Sequence, residues 1–228
     1  MFVHPYCSAG PSSRFARQKQ PPSVHNPPQN AGLQRIFPSE QLLNSDRMIG
    51  MNPTGRRTTH AYTIPTPDGP FSLVTSEKAL LASGWAIADY FLGRLGIDPS
   101  EVDADEPVPG SLMADAITAV DAYYKGEMDA PEQIPIDQPA PQFHHKVHEA
   151  LHQTKPGDRL TYSDLAAIAG NPQAVRAAAS ACARNKTALF IPCHRAIRRD
   201  GSLGGFLYGL PLKQSLLDRE LGIRPDDR

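Results

Sequence analysis

Cysteine is scarce in this chain: three in 228 residues, Cys7, Cys182 and Cys193. An odd number with no metal-like spacing argues against a disulfide framework and points to a reducing, cytoplasmic compartment. Long apolar runs are missing too. No stretch approaches the ~18 residues of a membrane helix, and the N-terminus lacks the basic-then-apolar order of a secretory signal. Net charge is only −1, but it is unevenly spread. Residues 57–140 hold 4 Lys/Arg against 14 Asp/Glu, a net of −10, whereas residues 141–228 hold 13 against 8, a net of +5. A basic second half suits a polyanionic partner, with the acidic half turned away from it.

The chain reads as three segments: a tail over 1–55, a first domain over 56–137 and a second over 138–228. The tail is rich in Pro, Gln, Asn and Ser, as in "QPPSVHNPPQN", and shows no periodicity, which reads as disorder. Its His4, Cys7 and His25 are too few for a metal site, and Met48 and Met51 at its end are candidate starts. From His60, "HAYTIPTPDGPFSLVTS" predicts two strands around an Asp68-Gly69 turn, and "KALLASGW" a third. In "SLMADAITAVDAYYKGE", Met113, Ile117, Val120 and Tyr124 recur at helical spacing. A small α+β unit results, followed by a Pro-rich linker, "PEQIPIDQPAP".

The second domain opens on "PQFHHKVHEALHQ", whose Phe143, Val147, Ala150 and Leu151 form a buried stripe. His144, His148 and His152 fall on another face; with no carboxylate or cysteine to complete a site, they read as exposed helix residues rather than metal ligands. "TYSDLAAIAG" reads as a helix capped by Ser163 and stopped at Gly170, and "NPQAVRAAASACARN" as a second, capped by Asn171 with Pro172 at its first position. Two short helices joined so tightly form either a packed hairpin or a helix-turn-helix. The second is lined with Ala177, Ala178, Ala179, Ala181 and Ala183, with Arg176 projecting, and small side chains let a helix backbone approach a partner closely. Cys182 within it reads as a small buried residue.

In "ALFIPCHRAIRRDGSLGG" an apolar run predicts a short buried strand ended by Pro192, with Cys193 at the strand-to-loop junction. Thiolate is the nucleophilic form of cysteine, and a free thiol near pKa ~8.5 is only slightly ionised at neutral pH. Lowering that value by ~2 units takes about 2.7 kcal/mol. The neighbouring His194, acting as base, and the positive charge of Arg195 are candidate sources. Glu220 in "LKQSLLDRELG" is a candidate to orient the histidine. The residues alone leave Cys193 as either reactive or simply buried, and Glu220 as either a partner or an exposed helix residue.

From Phe143 to Leu221 the chain resembles the C-terminal domain of the O6-alkylguanine-DNA alkyltransferases, the methylated-DNA–protein-cysteine methyltransferase family. "TYSDLAAIAGNPQAVRAAASACARN" is similar to the family's helix-turn-helix and "IPCHRAIRRDGSLGGF" to its active-site signature. The resemblance implies an α+β fold, with a small ribonuclease-H-like first domain and a mainly helical second domain with a winged-helix-like DNA-binding motif. It makes Cys193 the alkyl acceptor, His194 its base through a water, Glu220 the group that holds His194, and Tyr162 the proton donor to the guanine. Arg176, Ala177, Asn185 and Arg195 would serve DNA binding. Arg176 would replace the extruded base and Asn185 would also brace the active-site turn. Tyr162, Pro192, Phe206 and Leu207 would line the substrate pocket. Phe206 stands where many relatives have tyrosine, and with Leu207 and Tyr208 it makes the loop apolar, which bears on tolerance for bulky alkyl groups.

The expected reaction is a single, self-inactivating transfer from O6-alkylguanine, with O4-alkylthymine a second substrate to be tested. No cofactor or metal is expected. The expected partner is double-stranded DNA read through the minor groove by a monomer, in the cytoplasm or nucleoid of a bacterium or the nucleus of a eukaryote. A damage-binding relative without transfer activity would lack Cys193. A bifunctional transcriptional activator would need a cysteine-rich N-terminal module, for which the tail offers Cys7 alone. An unrelated Cys-His hydrolase would leave the Arg176 helix and the histidine–glutamate spacing unexplained.

Overall fold

A computed structural model describes residues 58–223. The expectations for the tail, including His4, Cys7, His25, Met48 and Met51, lie outside the described residues. Strands β1 (Thr59–Thr66) and β2 (Gly69–Ser76) form the antiparallel hairpin, in register from Thr59 opposite Ser76 to Thr66 opposite Gly69. The two turn residues are therefore Pro67 and Asp68, one position earlier than expected. Gly69 opens β2 at φ 109°, a backbone conformation that glycine alone adopts cheaply. Strand β3 (Leu80–Gly84) pairs with β2, and β4 (Val102–Asp103) runs parallel to β1, giving the order β3-β2-β1-β4.

Both faces of this mixed sheet are covered, which is why Phe71 to Thr75 are buried without alternation. Helix α1 (Ala88–Leu95) packs Phe91 and Leu92 on one side against Ala61, Val74 and Ala82. Eight residues without a capping side chain left it no signature in the sequence. Helix α2 (Leu112–Lys125) covers the other side, capped by Ser111 and stopped at Gly126. Its buried residues are Met113, Ala116, Ala119, Val120 and Tyr123, so the stripe is rotated from the one expected and Ile117 and Tyr124 lie at its edge. The alanines let α2 sit closer to the sheet than a stripe of larger residues would. The Pro-rich linker is pinned as well: Leu80 donates its amide to the Pro135 carbonyl at 2.8 Å, and Asp137 returns a bond to Leu80 at 3.0 Å.

The second half is mainly helical: α3 (Gln142–His152), α4 (Tyr162–Ile168), α5 (Val175–Arg184) and α6 (Leu210–Glu220), with short parallel strands β5 (Leu160–Thr161) and β6 (Ala196–Ile197). The cap of α4 is Thr161, not Ser163. Thr161 Oγ1 accepts the Asp164 amide at 3.1 Å, and the Asp164 carboxylate takes the Thr161 amide at 2.9 Å, a reciprocal capping box. Helix α5 starts later than expected, because Asn171 closes a turn through the amides of Gln173 and Ala174 before the helix begins. The α4–α5 pair is the expected helix-turn-helix. One hydrophobic cluster runs from Phe71 and Leu73 through Val120, Leu151 and Phe190 to Leu216, so sheet and helices share a core. No described helix is long and apolar enough to cross a membrane.

The apolar run before Cys193 is not a strand. Thr187 to Ile191 form a tight turn in which Ile191 donates to the Thr187 carbonyl at 2.8 Å and Leu189 takes φ 76°. Strand β3 supplies the pairing instead: Ser83 donates its amide to Lys186 and its hydroxyl to Ala188, and accepts the Ala188 amide. An apolar run of this length signals burial, not conformation, and the edge of β3 decided the shape.

Candidate active site

Cys193 opens a single 3-10 turn, Cys193–Arg195, and is 8 % exposed. The end of α5 reaches it through Asn185, whose amide nitrogen lies 3.2 Å from Sγ and donates to the Ile191 carbonyl at 2.9 Å. Asn185 Oδ1 accepts the Thr187 amide at 3.1 Å, so one buried side chain clamps both limbs of the turn. Gln138 of the linker adds to the clamp by accepting the amides of Lys186 and Thr187.

Behind the cysteine lies a buried ionic group. His194 Nε2 is 2.7 Å from Glu220 Oε1, and both side chains are essentially without exposure. The same carboxylate takes Arg195 Nε at 3.0 Å and the Gly157 amide at 3.1 Å, with Arg159 Nη1 at 3.6 Å. Burial pulls the Glu220 pKa upward, but the hydrogen bond and charge of His194, the charge of Arg195 and the Gly157 amide outweigh it, bringing it to about 2. Glu220 is therefore an acceptor at neutral pH, and His194 Nε2 is the donor. That fixes the tautomer: the free lone pair sits on Nδ1, which is buried without a hydrogen-bond partner.

Burial also sets the resting protonation states. It pushes the Cys193 thiol up, only partly offset by the Asn185 bond and the charge of Lys213. It pushes the His194 imidazolium down, against the pull of Glu220. The resting pair is thus a neutral thiol beside a neutral imidazole with an unused lone pair. The site does not hold a standing thiolate.

Cys193 faces a cavity of about 490 Å³, lined also by Tyr162, Phe206, Leu207, Cys182 and Arg198. Tyr162 packs against Gly204, where a Cβ would lie 2.8 Å from the phenol oxygen on a backbone at φ +69°. Burial raises the phenol's pKa, so Tyr162 keeps its proton at neutral pH. Lys213 of α6, fully buried, donates to the carbonyls of Ala196, Leu203 and Gly205 and ties the glycine loop to the active-site strand. Trp85 from the first half backs the loop, 5.4 Å from Tyr208 and 6.4 Å from Phe206 between ring centres.

Several expected placements change. Arg195 does not reach the surface: at 2 % exposure it is committed to Glu220 and Thr154, where no phosphate can meet it. Asn185, 3 % exposed, is likewise inside, where it braces the turn, contacts the sulfur and lines the cavity. Pro192 precedes the 3-10 turn and does not line the cavity. Phe206 and Leu207 do line it, and Cys182, expected to be plainly buried, borders it too. Arg176 is exposed on α5 and Ala177 half-buried, while Ala178 and Ala181 face the core. His148 and His152 are buried, not exposed. His148 Nε2 donates to the Ala181 carbonyl at 3.0 Å and Nδ1 accepts from Gln138 at 2.9 Å, so this histidine braces α5. Lys213, Gln138 and His148 were not singled out as site residues. A lysine seven positions before Glu220 shares its helix face, which was the one available hint.

Residues 142–222 match the family described as 6-O-methylguanine DNA methyltransferase, DNA binding domain. The chain is 32 % identical to the methylated-DNA–protein-cysteine methyltransferase of Methanosarcina barkeri, over 69 % of this chain and 94 % of that protein. It is 45 % identical to the bifunctional transcriptional activator/DNA repair enzyme Ada of Escherichia coli over 61 % of this chain, but spans only about half (46 %) of that relative's length. A crystal structure of Mycobacterium tuberculosis OGT in complex with DNA superposes with a TM-score of 0.61 at 27 % identity, covering 74 % of this chain and 96 % of that one. With its buried Cys-His-Glu group, helix-turn-helix and mixed-sheet first half, the chain belongs to the O6-methylguanine DNA methyltransferase family.

Proposed function

We propose that this chain repairs DNA by moving an alkyl group from guanine O6 to its own Cys193, once per molecule. The observation that carries this reading is the sulfur at the wall of an apolar cavity, with a histidine base whose tautomer is fixed by an ionised, buried glutamate. His194 Nδ1 takes the thiol proton, directly or through one water. The thiolate attacks the alkyl carbon in line with the breaking bond, a C–S bond forms, the C–O6 bond breaks, and its electron pair stays with guanine. Tyr162 protonates the departing guanine and recovers a proton from the His194 imidazolium. The net change is a thioether for a thiol and an intact guanine for an alkylated one. Hydrolysing a thioether takes an activation that no residue of this pocket supplies, so the protein is consumed.

The base must leave the duplex to reach a sulfur this deeply set, at a cost of a few kcal/mol in stacking and pairing. The exposed Arg176 at the first turn of α5 suits the gap it leaves. The small surface of Ala179, Ser180 and Ala183 lets the helix backbone sit deep in a groove, which favours the minor groove and one monomer per lesion. Exposed Arg184, Arg198 and Arg199 would meet phosphates. The OGT structure with DNA supports the same partner for this chain.

Arg176→Ala tests the extrusion step. Its transfer rate on duplex DNA carrying O6-methylguanine is expected to fall about tenfold or more, a loss of at least ~1.4 kcal/mol. Its rate on the free base O6-methylguanine, which needs no extrusion, is expected to stay within twofold. Equal losses on both substrates would contradict the role given to Arg176.

A further inference from the structure

The tip of the β1–β2 hairpin is far from Cys193 in sequence, yet its Asp68 is turned inward, with 11 % of the side chain exposed. Aspartate is an ordinary turn residue, and a turn alone would explain its presence. It does not explain its partners. Ser215 donates to Oδ1 at 2.8 Å, and Oδ2 takes the Tyr124 hydroxyl at 3.0 Å and Arg219 Nη2 at 3.4 Å. Arg219 also lies over the Tyr124 ring, 4.7 Å from its centre. Ser215 and Arg219 are four apart on α6, on one face of the helix.

The other contacts of α6 give that grip its consequence. Lys213 and Glu220, seven apart, share a second face. Lys213 holds the glycine loop of the pocket, and Glu220 holds His194 at 2.7 Å. Helix α6 is thus a rod with the hairpin on one face and the chemistry on another. The first half also reaches the opposite wall of the pocket. Trp85, which backs Phe206 and Tyr208, donates its indole N–H to the Tyr124 hydroxyl at 3.2 Å, and that hydroxyl donates to Asp68. Pocket loop, Trp85, Tyr124, Asp68 and α6 form one closed chain of contacts.

We infer that Asp68 is a positioning residue for the reaction: by fastening Ser215 and Arg219 it sets the axial and rotational position of α6, and so the His194–Glu220 bond on which Cys193 depends. This rests on the alkyl-transfer reading for its role, though not for its test. Misplacing reacting groups by about 1 Å can cost on the order of 10²-fold in rate, and a hydrogen bond as short as that of His194 to Glu220 leaves little slack. The first half of the chain, none of whose described residues lines the cavity at Cys193, thereby takes part in the chemistry.

The test uses Asp68→Ala and Asp68→Asn in the full chain, with two readouts. One is single-turnover transfer from duplex DNA containing O6-methylguanine, resolved into lesion affinity and limiting rate. The other is carboxamidomethylation of Cys193 by iodoacetamide, located by peptide mass, which needs the base but no DNA. Asp68→Ala is expected to lower the limiting rate at least tenfold, leave lesion affinity within twofold, and slow iodoacetamide at Cys193. Asp68→Asn, which keeps partners for Ser215 and Tyr124, is expected to recover most of both rates. A merely structural role gives the opposite sign, since loosening the fold exposes a buried thiol and speeds its carboxamidomethylation. Faster labelling in Asp68→Ala, or a limiting rate equal to that of the parent chain, overturns the inference. If the parent chain accepts no methyl group from DNA, the alkyl-transfer reading fails, while the iodoacetamide rates still decide the role of Asp68.

Discussion

Glu220→Ala is expected to lose both stability and transfer. The side chain is the counter-charge for buried Arg195 and the fixed acceptor for buried His194. Breaking a buried pair by removing one partner typically costs about 3–5 kcal/mol, because the remaining charge is left without compensation. A domain of this kind has only ~5–15 kcal/mol in hand, so the variant stays folded with a much-reduced denaturation midpoint. Its rate, measured at a temperature where it is folded, is expected to fall by about 10²–10⁴, the usual contribution of a positioned base. Without the carboxylate, His194 is free to place its proton on Nδ1 and cannot then accept from Cys193. Glu220→Gln keeps an oxygen for His194 but not the charge, and is expected to fall between the two. Denaturant melts and single-turnover assays on the same preparations separate the effects. A folded Glu220→Ala protein that transfers at the parent rate would show that the pair only holds the fold together.

The second large effect is acid sensitivity. Burial chiefly, against the bond from His148 to the Ala181 carbonyl, lowers the His148 pKa from 6.5 to about 4. A depressed folded value means that the unfolded chain binds the proton first. The stability His148 contributes is therefore complete above pH ~6.5 and declines as the pH falls toward 4, by about 3 kcal/mol. His194, also pushed down by burial, acts with the same sign. Glu220 continues the loss from its ordinary value near 4.5 toward about 2, by an amount on the order of 3 kcal/mol. These losses together rival the net stability of a domain, so stability is expected to decline from pH 6.5 toward 4 and the chain to unfold as the pH falls on toward 2. His148→Gln, which keeps an amide for Ala181 but does not titrate, is expected to flatten that first limb. Denaturant midpoints measured across pH 4–7.5 check it, and an unchanged slope in the variant would remove His148 from the account.

Local chemistry was legible where the deciding forces are local. "IPCHR" and "TYSDLA" pointed to the cysteine, histidine and phenol that the fold brings together, and the Asp-Gly signal located the hairpin to within one residue. Met113 and Val120 betrayed helix α2, though alanines, which carry little weight in an apolar pattern, set which way it faced. Other features depend on partners far away in the chain. Ala188 to Pro192 read as a strand because burial and strand share an apolar signature, and only the edge of β3 turned the run into a loop. Arg195 looked like a phosphate ligand because nothing nearby announces that Glu220 and Thr154 will claim it. His148 looked exposed because the carbonyl and amide that satisfy its ring come from α5 and from the linker. Asp68 looked like a turn residue, and its grip on α6 spans 147 residues to Ser215. The cap at Thr161 was readable in principle, since Thr161 and Asp164 have capping-box spacing.

The central claim is that Cys193 itself accepts the alkyl group. The most direct measurement is the intact mass of the protein after incubation with duplex DNA containing one O6-methylguanine, alongside Cys193→Ala. A gain of one methyl group per molecule, located by peptide mass on Cys193 and absent in the variant, is the predicted result. Tight binding to the lesion DNA with no change in mass, or a methyl group on any other residue, would contradict it.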